Sequence, residues 1–139
     1  MKIDYKVGSE NFDILIKDKI DLSIISKINL AKSDKKILFV YDRNISRKLI
    51  DKTFKILKES GCQVLALEFQ GSKKRKNEKL LFNLFDIMID NKFTKKSIVI
   101  SFGGGVLGDV TALAASLYYR GLIYFHIPTT MTSIIDSCV

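Results

Sequence analysis

Residues 97–117 read SIVISFGGGVLGDVTALAASL, and this stretch decides the fold of the chain. Its first part, residues 97–102, is a short apolar run of the kind that forms a buried parallel strand. Three glycines follow, and then a run of small and apolar residues that predicts a helix. A strand, a glycine turn and a helix in this order are typical of a phosphate-binding loop.

The glycines at 103, 105 and 108 satisfy the G-x-G-x-x-G pattern in that context. Glycine lets the backbone approach a pyrophosphate closely, and the free N–H groups at the start of a helix attract its charge. About twenty residues further on, however, Thr129 stands where the usual fingerprint has an acidic residue. Asp109 in the first helical turn is either an N-terminal cap or a group that orders the loop or holds a hydroxyl, and its position leaves both roles open.

Strands and helices alternate on both sides of this stretch. Residues 37–41, 64–69 and 122–127 predict further strands, and residues 3–7 and 12–16 predict an amino-terminal β-hairpin. Asp21 or Ser23 can cap a short helix that reaches toward Ile28. Three helices are predicted from apolar residues that recur on one side. The first has Ile50, Phe54 and Leu57 and ends before Gly61. The apolar stripe of the second is Leu81, Leu84, Phe85 and Met88, and that of the third is Val110, Leu113, Ala114 and Leu117.

This alternation predicts an α/β fold, a Rossmann-like parallel sheet with helices on both faces, in one domain over residues 1–139. Ligands of such sheets bind beyond the carboxyl ends of the strands. The content of hydrophobic residues, 47%, is enough for a real core.

Charge and apolar runs exclude several classes of protein. The net charge is +8, but the lysines are spread along the chain and no aromatic residue interleaves with residues 73–76, so we predict no binding of nucleic acid. The apolar runs are too short to cross a membrane and the amino terminus lacks a signal peptide, so we predict a cytoplasmic protein. Cys62 and Cys138 fit neither a disulfide scaffold nor a metal knuckle.

Five segments together resemble the 3-dehydroquinate synthase family of sugar phosphate cyclases. They are GGGVLGDVT at 103–111, AAS at 114–116, YRG at 119–121, IPTT at 127–130 and Asp136-Ser137. The resemblance is specific from Ser97 onward and looser upstream. In the family a Val-Gly-Gly-Lys segment follows the Asp-Ser pair, whereas this chain stops at Val139, so we expect a truncated chain without the family's carboxyl-terminal helical domain.

The resemblance implies a lyase that uses NAD and a divalent metal, zinc or cobalt, to eliminate phosphate from a phosphorylated sugar acid and close a ring. The metal ligands of the family lie in the absent domain, so no metal site is expected here. The implied cofactor-binding residues are Asp42 and Asn44 for the adenosine ribose, Lys76, the loop Gly104, Gly105, Val106, Leu107, Gly108 and Asp109, and Thr129 and Thr130. Asp136 would lie near the carbocycle hydroxyls, and Arg120 would reach the substrate phosphate of a neighbouring subunit, which implies a homodimer.

Each of these roles has a simpler alternative. Thr129 and Thr130 can begin a helix, Arg120 can be an exposed helix-end cation, and Asp136 can be a surface acid. His126 is interpreted as a satisfied strand histidine, because no second metal ligand lies nearby. Lys73 stands where the family has a cofactor-binding glutamate, which reverses the charge at that position.

Alternative functions also remain. Iron-dependent alcohol or glycerol dehydrogenases share a Gly-Gly-Gly loop and a Pro-Thr-Thr element. Their loop continues with serine and their Pro-Thr-Thr with Gly-Thr-Gly-Ser-Glu, whereas Met131-Thr132-Ser133 follows here. Sister cyclases that make aminocyclitol or valiolone rings stay open, and so does an inactive NAD-binding fragment.

Overall fold

The computed structural model describes residues 2–7, 10–15, 34–70 and 78–136, with side chains for 34–70 and 78–134. The predicted hairpin is confirmed: strand β1 (Lys2–Val7) pairs antiparallel with strand β2 (Glu10–Leu15). The short helix predicted after Asp21 or Ser23 lies outside the described residues, as does the basic loop that carries Lys73 and Lys76.

The main sheet has four parallel strands. They are β3 (Lys36–Asp42), β4 (Gln63–Phe69), β5 (Ile98–Gly103) and β6 (Ile123–Pro128). Their order in the sheet is β4–β3–β5–β6, and all three pairings are parallel. The chain therefore moves outward from β3 to β4 and then crosses back to the other side of β3. This reversal opens a crevice between the carboxyl ends of β3 and β5, where doubly wound sheets bind ligands.

In the described part of the chain, four α-helices accompany the main sheet: α1 (Arg47–Glu59), α2 (Glu78–Asp90), α3 (Gly105–Leu117) and α4 (Met131–Asp136). Helix α1 packs on one face of the sheet, where Ile50 and Leu57 meet alternate strand residues such as Phe39. Helices α2 and α3 pack on the other face, against Leu38 and Val40. The prediction of a parallel sheet covered on both faces is confirmed.

Helix α1 follows its sequence pattern closely. Ile50 and Leu57 are buried as predicted, and Phe54 is partly buried beside them. Gly61 lies just beyond the helix with a φ of +78°, a left-handed conformation that side chains disfavour. The predicted position of the terminal glycine is therefore confirmed. On α2 the predicted stripe also faces the core, with Leu84 and Met88 buried and the other two members partly buried.

The stripe predicted for α3 was wrong for two of its four residues, since Val110 and Ala114 pack against the core and the two leucines do not. Leu113 is 47% exposed and Leu117 is 58% exposed, and only Ala114 of the four predicted residues is buried. The buried face consists of Leu107, Gly108, Thr111, Ala114 and Ala115. Because α3 is apolar on nearly every side, its periodicity does not select a face. Small residues lie against the sheet because they allow the helix to approach it closely.

Candidate functional site

The amino terminus of α3 lies at the crevice between β3 and β5. Gly104 precedes the helix with extended backbone angles, and no side chain caps the helix there. The first helical hydrogen bond runs from Gly108 N–H to Gly104 O, at 3.0 Å. The N–H groups of Gly105, Val106 and Leu107 come before that bond and point out of the helix end. With the helix dipole they form a group of donors suited to an anion.

The glycine loop fits tightly between two neighbouring segments. A methyl group on Gly103 would come within 3.2 Å of the Asp42 Cβ and 2.7 Å of Leu107 Cδ2. On its other side, Thr129 N–H donates to Gly103 O at 2.9 Å. A methyl group on Gly104 would lie 3.4 Å from Thr130 Cγ2. The fold therefore brings the end of β3, the glycine loop and the segment after β6 together.

Asp42 is oriented by its own turn. Its Oδ1 accepts hydrogen bonds from both the backbone N–H and the side-chain amide of Asn44, each at 2.9 Å. Among the described residues, its Oδ2 accepts no hydrogen bond. Next to it, exposed Arg43 forms an ion pair with Glu68 on β4, at 3.2 Å. Asn44 thus fixes the direction of the Asp42 side chain and leaves Oδ2 as the oxygen that could accept from a ligand, as far as the described residues show.

Thr130 starts helix α4, as one of the two interpretations of the Pro-Thr-Thr segment predicts. Ser133 N–H donates to Thr130 Oγ1 at 3.2 Å, which is the bond of an N-terminal cap. Both Thr129 and Thr130 are exposed at the crevice. Capping uses Thr130 Oγ1 as an acceptor, so its hydroxyl proton can still be donated. A contact from either threonine to a cofactor remains a prediction.

The loop residues have different surroundings. Leu107 and Gly108 are buried, and Gly108 already donates its N–H within the helix. The side chain of Asp109 is exposed on the first turn, where its charge acts on His126. Gly108 therefore serves close packing in this structure, and the backbone of the three preceding residues faces the crevice.

A polar network that the sequence did not predict lies behind the loop. His126 forms hydrogen bonds with Ser101 through Nδ1, at 2.7 Å, and with Ser133 through Nε2, at 2.6 Å. Tyr124 also bonds to Ser101. The interpretation of His126 as a satisfied strand histidine is confirmed. A serine in the middle of the apolar run 98–102 was the signal for a buried polar partner.

Burial lowers the pKa of His126 below its usual 6.5, and the charge of Asp109 and a hydrogen bond to the Ser101 main chain offset this only in part. The imidazole is therefore neutral at pH 7.

Arg120 lies far from this crevice. It follows α3 in a tight exposed turn, in which Tyr119 and Arg120 have φ values of +48° and +63°. The turn leads into the amino end of β6, whereas the glycine loop follows the carboxyl end of the adjacent parallel strand β5. Its predicted contact with a substrate phosphate therefore requires the site of another subunit. Asp136 ends α4, and its side chain lies outside the described residues.

Two further observations concern metals and membranes. Within residues 34–70 and 78–134, no cluster of three or more His, Cys, Asp or Glu side chains could hold a metal ion. No helix in the described part of the chain has the length and apolar character needed to span a bilayer.

The architecture and the loop together define a doubly wound α/β domain with an uncapped, glycine-rich helix end at its switch point. Residues 66–139 match the profile of the family described as 3-dehydroquinate synthase N-terminal. The chain belongs to this family of sugar phosphate cyclases, of which it carries an amino-terminal part.

Individual relatives agree with this assignment. The chain is 29% identical over 137 residues to a 3-dehydroquinate synthase of Clostridium acetobutylicum, covering 99% of this chain and 38% of that protein. It is 33% identical over 141 residues to a 3-dehydroquinate synthase of Prochlorococcus marinus, covering 99% and 39%. The chain thus spans less than two fifths of the length of these relatives.

Solved structures share the fold. A 2-deoxy-scyllo-inosose synthase complexed with carbaglucose-6-phosphate, NAD+ and Co2+ matches with a TM-score of 0.85 at 22% identity, over 99% of this chain and 37% of that one. A 2-epi-5-epi-valiolone synthase from Streptomyces hygroscopicus, with NAD+ and Zn2+ bound, matches with a TM-score of 0.67 at 24% identity, over 96% and 37%. At these identities the likeness concerns the fold.

Proposed function

We propose that the protein of which this chain forms the amino-terminal part is a 3-dehydroquinate synthase. It converts 3-deoxy-D-arabino-heptulosonate 7-phosphate into 3-dehydroquinate and inorganic phosphate, a step of the shikimate pathway toward chorismate and the aromatic amino acids. Family membership supports the reaction class, and the naming of the relatives supports this substrate.

One structural observation carries the proposal: the uncapped amino terminus of α3 faces the crevice across from Asp42. The N–H groups of residues 105–107 suit the pyrophosphate of NAD. The uncommitted Oδ2 of Asp42 suits a ribose hydroxyl, which needs an acceptor. An anion site and a hydrogen-bond acceptor on the two sides of the switch point suit the pyrophosphate and a ribose of one dinucleotide.

The remaining residues complete the proposed cofactor site. Thr129 and Thr130, on the other side of the glycine loop, donate their hydroxyl protons to the cofactor. Asn44 orients the Asp42 carboxylate through two hydrogen bonds. Lys76 adds a positive charge, and Asp109 orders the first turn of the helix.

NAD held at this site would supply reversible hydride transfer at a hydroxyl-bearing carbon of the substrate, so the overall reaction would involve no net oxidation. Asp136 holds the substrate hydroxyls near the cofactor. Arg120 binds the phosphate of the substrate in a neighbouring subunit, and the enzyme is a homodimer; the distance of Arg120 from the glycine loop along the strands supports this role in a second subunit. The divalent metal, zinc or cobalt, is held by residues outside this chain. The enzyme acts in the cytoplasm and does not bind nucleic acid.

Calorimetry with NAD and a phosphate-release assay on the full-length protein test the proposal. With zinc or cobalt present, we expect saturable NAD binding and one phosphate released per heptulosonate phosphate consumed. Release from glucose 6-phosphate or sedoheptulose 7-phosphate, with none from the heptulosonate, would assign a sister cyclase activity instead. NAD binding without release from any of the three would leave an inactive nucleotide-binding protein.

A further inference from the structure

Two strands and two helices, β5, β6, α3 and α4, meet through hydrogen bonds directly behind the glycine loop. Tyr124 on β6 donates to Gly108 O at 3.0 Å and bonds to Ser101 on β5 at 2.7 Å. Ser101 bonds to His126, and His126 bonds to Ser133 on α4. The network thus runs without interruption from the first turn of α3 to the first turn of α4.

The chemistry of these groups fixes the direction of every bond. Gly108 O can only accept, so the hydroxyl proton of Tyr124 points to it. Ser101 must then donate to Tyr124, which leaves its own oxygen to accept from Nδ1–H of His126. A neutral imidazole with its proton on Nδ1 accepts at Nε2, so Ser133 donates there.

The imidazole ring of His126 also contacts helix α3 at Gly108. A methyl group on Gly108 would come within 2.8 Å of His126 Cε1 and 2.9 Å of Nε2. On the α4 side, Ser133 is fully buried, and its backbone N–H is held by Thr130 Oγ1. The ring therefore lies between the turn that carries residues 105–107 and the residue that caps α4.

We propose that His126 is a positioning residue for the cofactor loop, which sets the distance between the first turn of α3 and Thr130 through Tyr124, Ser101 and Ser133. The inference rests on the proposed NAD site and adds to it a residue that does not touch the cofactor. A neutral histidine suits this place, since it supplies one donor and one acceptor on a rigid ring. Its lowered pKa keeps it in that neutral form.

The first experiment compares NAD affinity among variants of the full-length protein by calorimetry. His126→Ala and Ser133→Ala remove the link to α4, and we expect each to weaken NAD binding by about tenfold, the usual effect of one lost buried hydrogen bond. His126→Gln keeps a donor and an acceptor and should bind within about twofold of the wild type. Ser116→Ala is the control, because Ser116 is exposed on α3 and bonds only within its own helix.

A double-mutant cycle tests the contact between ring and loop. Gly108→Ala should weaken NAD binding because its methyl group displaces the ring. In a His126→Ala background the same methyl group has room, so the loss from Gly108→Ala should shrink to within about twofold. Fully additive losses would contradict a direct contact between ring and loop.

The outcomes separate this inference from the function on which it rests. Absence of NAD binding by the wild type overturns the proposed function and this role with it. Wild-type binding that is unchanged in His126→Ala and Ser133→Ala, even with lowered melting temperatures, overturns the positioning role alone. Nitrogen-15 shifts of the imidazole assigned to His126 give a separate readout, where a proton on Nε2 would contradict the donor order.

Discussion

Asp42 and Gly103 face each other across the switch point of the sheet, so closely that a methyl group on Gly103 would come within 3.2 Å of the Asp42 Cβ. They are the last residues of two adjacent strands, β3 and β5. Asp42 contributes the acceptor and Gly103 begins the loop that contributes the donors. The proposed nucleotide site therefore depends on how these two strands end.

Gly104→Ala should separate binding from stability. Gly104 has a φ of −83°, which alanine adopts readily, and the added methyl group makes only an ordinary contact with Thr130 at 3.4 Å. We expect thermal unfolding to change little and NAD affinity, measured by calorimetry, to fall by about tenfold or more, since the methyl group enters the proposed pyrophosphate space.

Gly61→Ala should lower the stability of the fold without changing NAD affinity. At a φ of +78° a side chain is strained although the space is open, so we expect a loss of about 1–2 kcal/mol in the free energy of unfolding. NAD affinity should stay unchanged, because Gly61 precedes the amino end of β4, whereas the proposed NAD site is at the carboxyl ends of β3 and β5. Weakened NAD binding in this variant would indicate that affinity follows general stability.

Asp42→Asn should weaken NAD binding with little effect on the fold. The amide oxygen can still accept from the backbone N–H of Asn44, so the turn persists. The amide group that replaces Oδ2 donates instead of accepting, which removes the proposed bond to the ribose. We expect a loss of about tenfold in affinity by calorimetry and unchanged urea unfolding. Wild-type affinity in Asp42→Asn would place the ribose elsewhere.

Asp34 should be a stabilising group near the amino ends of β3 and β5. Its Oδ2 accepts from Thr94 and from the fully buried Ser97, and its Oδ1 accepts from Lys36 N–H. Asp34→Ala leaves the Ser97 hydroxyl without this acceptor, so we expect a loss of about 1–3 kcal/mol in chemical denaturation. Asp51→Asn is the control, because Asp51 forms only an exposed pair with Arg47 on α1.

The acid dependence of this effect has a definite sign. Burial alone would raise the pKa of Asp34, but the hydrogen bonds from Ser97, Thr94 and Lys36 and the Lys36 charge outweigh burial and hold the pKa below 3.8. The contribution of Asp34 is therefore fully present above about pH 3.8 and is lost as the pH falls through the lower value in the folded state. Asp34→Ala should lack this dependence.

His126 should make stability depend on pH in a higher window. Because burial lowers its pKa, the unfolded chain binds a proton first as the pH falls below 6.5. The free energy of unfolding should decrease from there down to the pKa of the folded state and then level off. His126→Gln removes the titrating group, so its unfolding curves between pH 5 and 7 should lose this component. An identical pH profile in both proteins would contradict burial of a neutral imidazole.

The sequence predicted the elements better than it predicted their buried faces. Helix α1 has few apolar residues, so its core side follows directly from Ile50 and Leu57. Helix α3 is apolar on most sides, and close packing against the sheet, which no local pattern contains, turned Leu113 and Leu117 outward.

The candidate site also has features that the local sequence predicts and features that depend on tertiary packing. The glycine loop and the start of α4 at Thr130 follow from local chemistry. The partners of His126 do not, because Ser101 and Ser133 meet it only after β5, β6 and α4 are in place. The orientation of Asp42 by Asn44 is local, but its distance from Gly103 depends on the pairing of β3 with β5.

That pairing also governs when the crevice can form during synthesis. Ile37 on β3 pairs with Ile98 on β5. Strand β3 therefore cannot pair with β5 until α1, β4 and α2 have left the ribosome. Until then one long edge of an almost wholly apolar strand stays open in the nascent chain, which favours chaperone capture or aggregation. Translation that stalls before β5 would therefore release a product with Asp42 but without the opposite wall of the proposed nucleotide site.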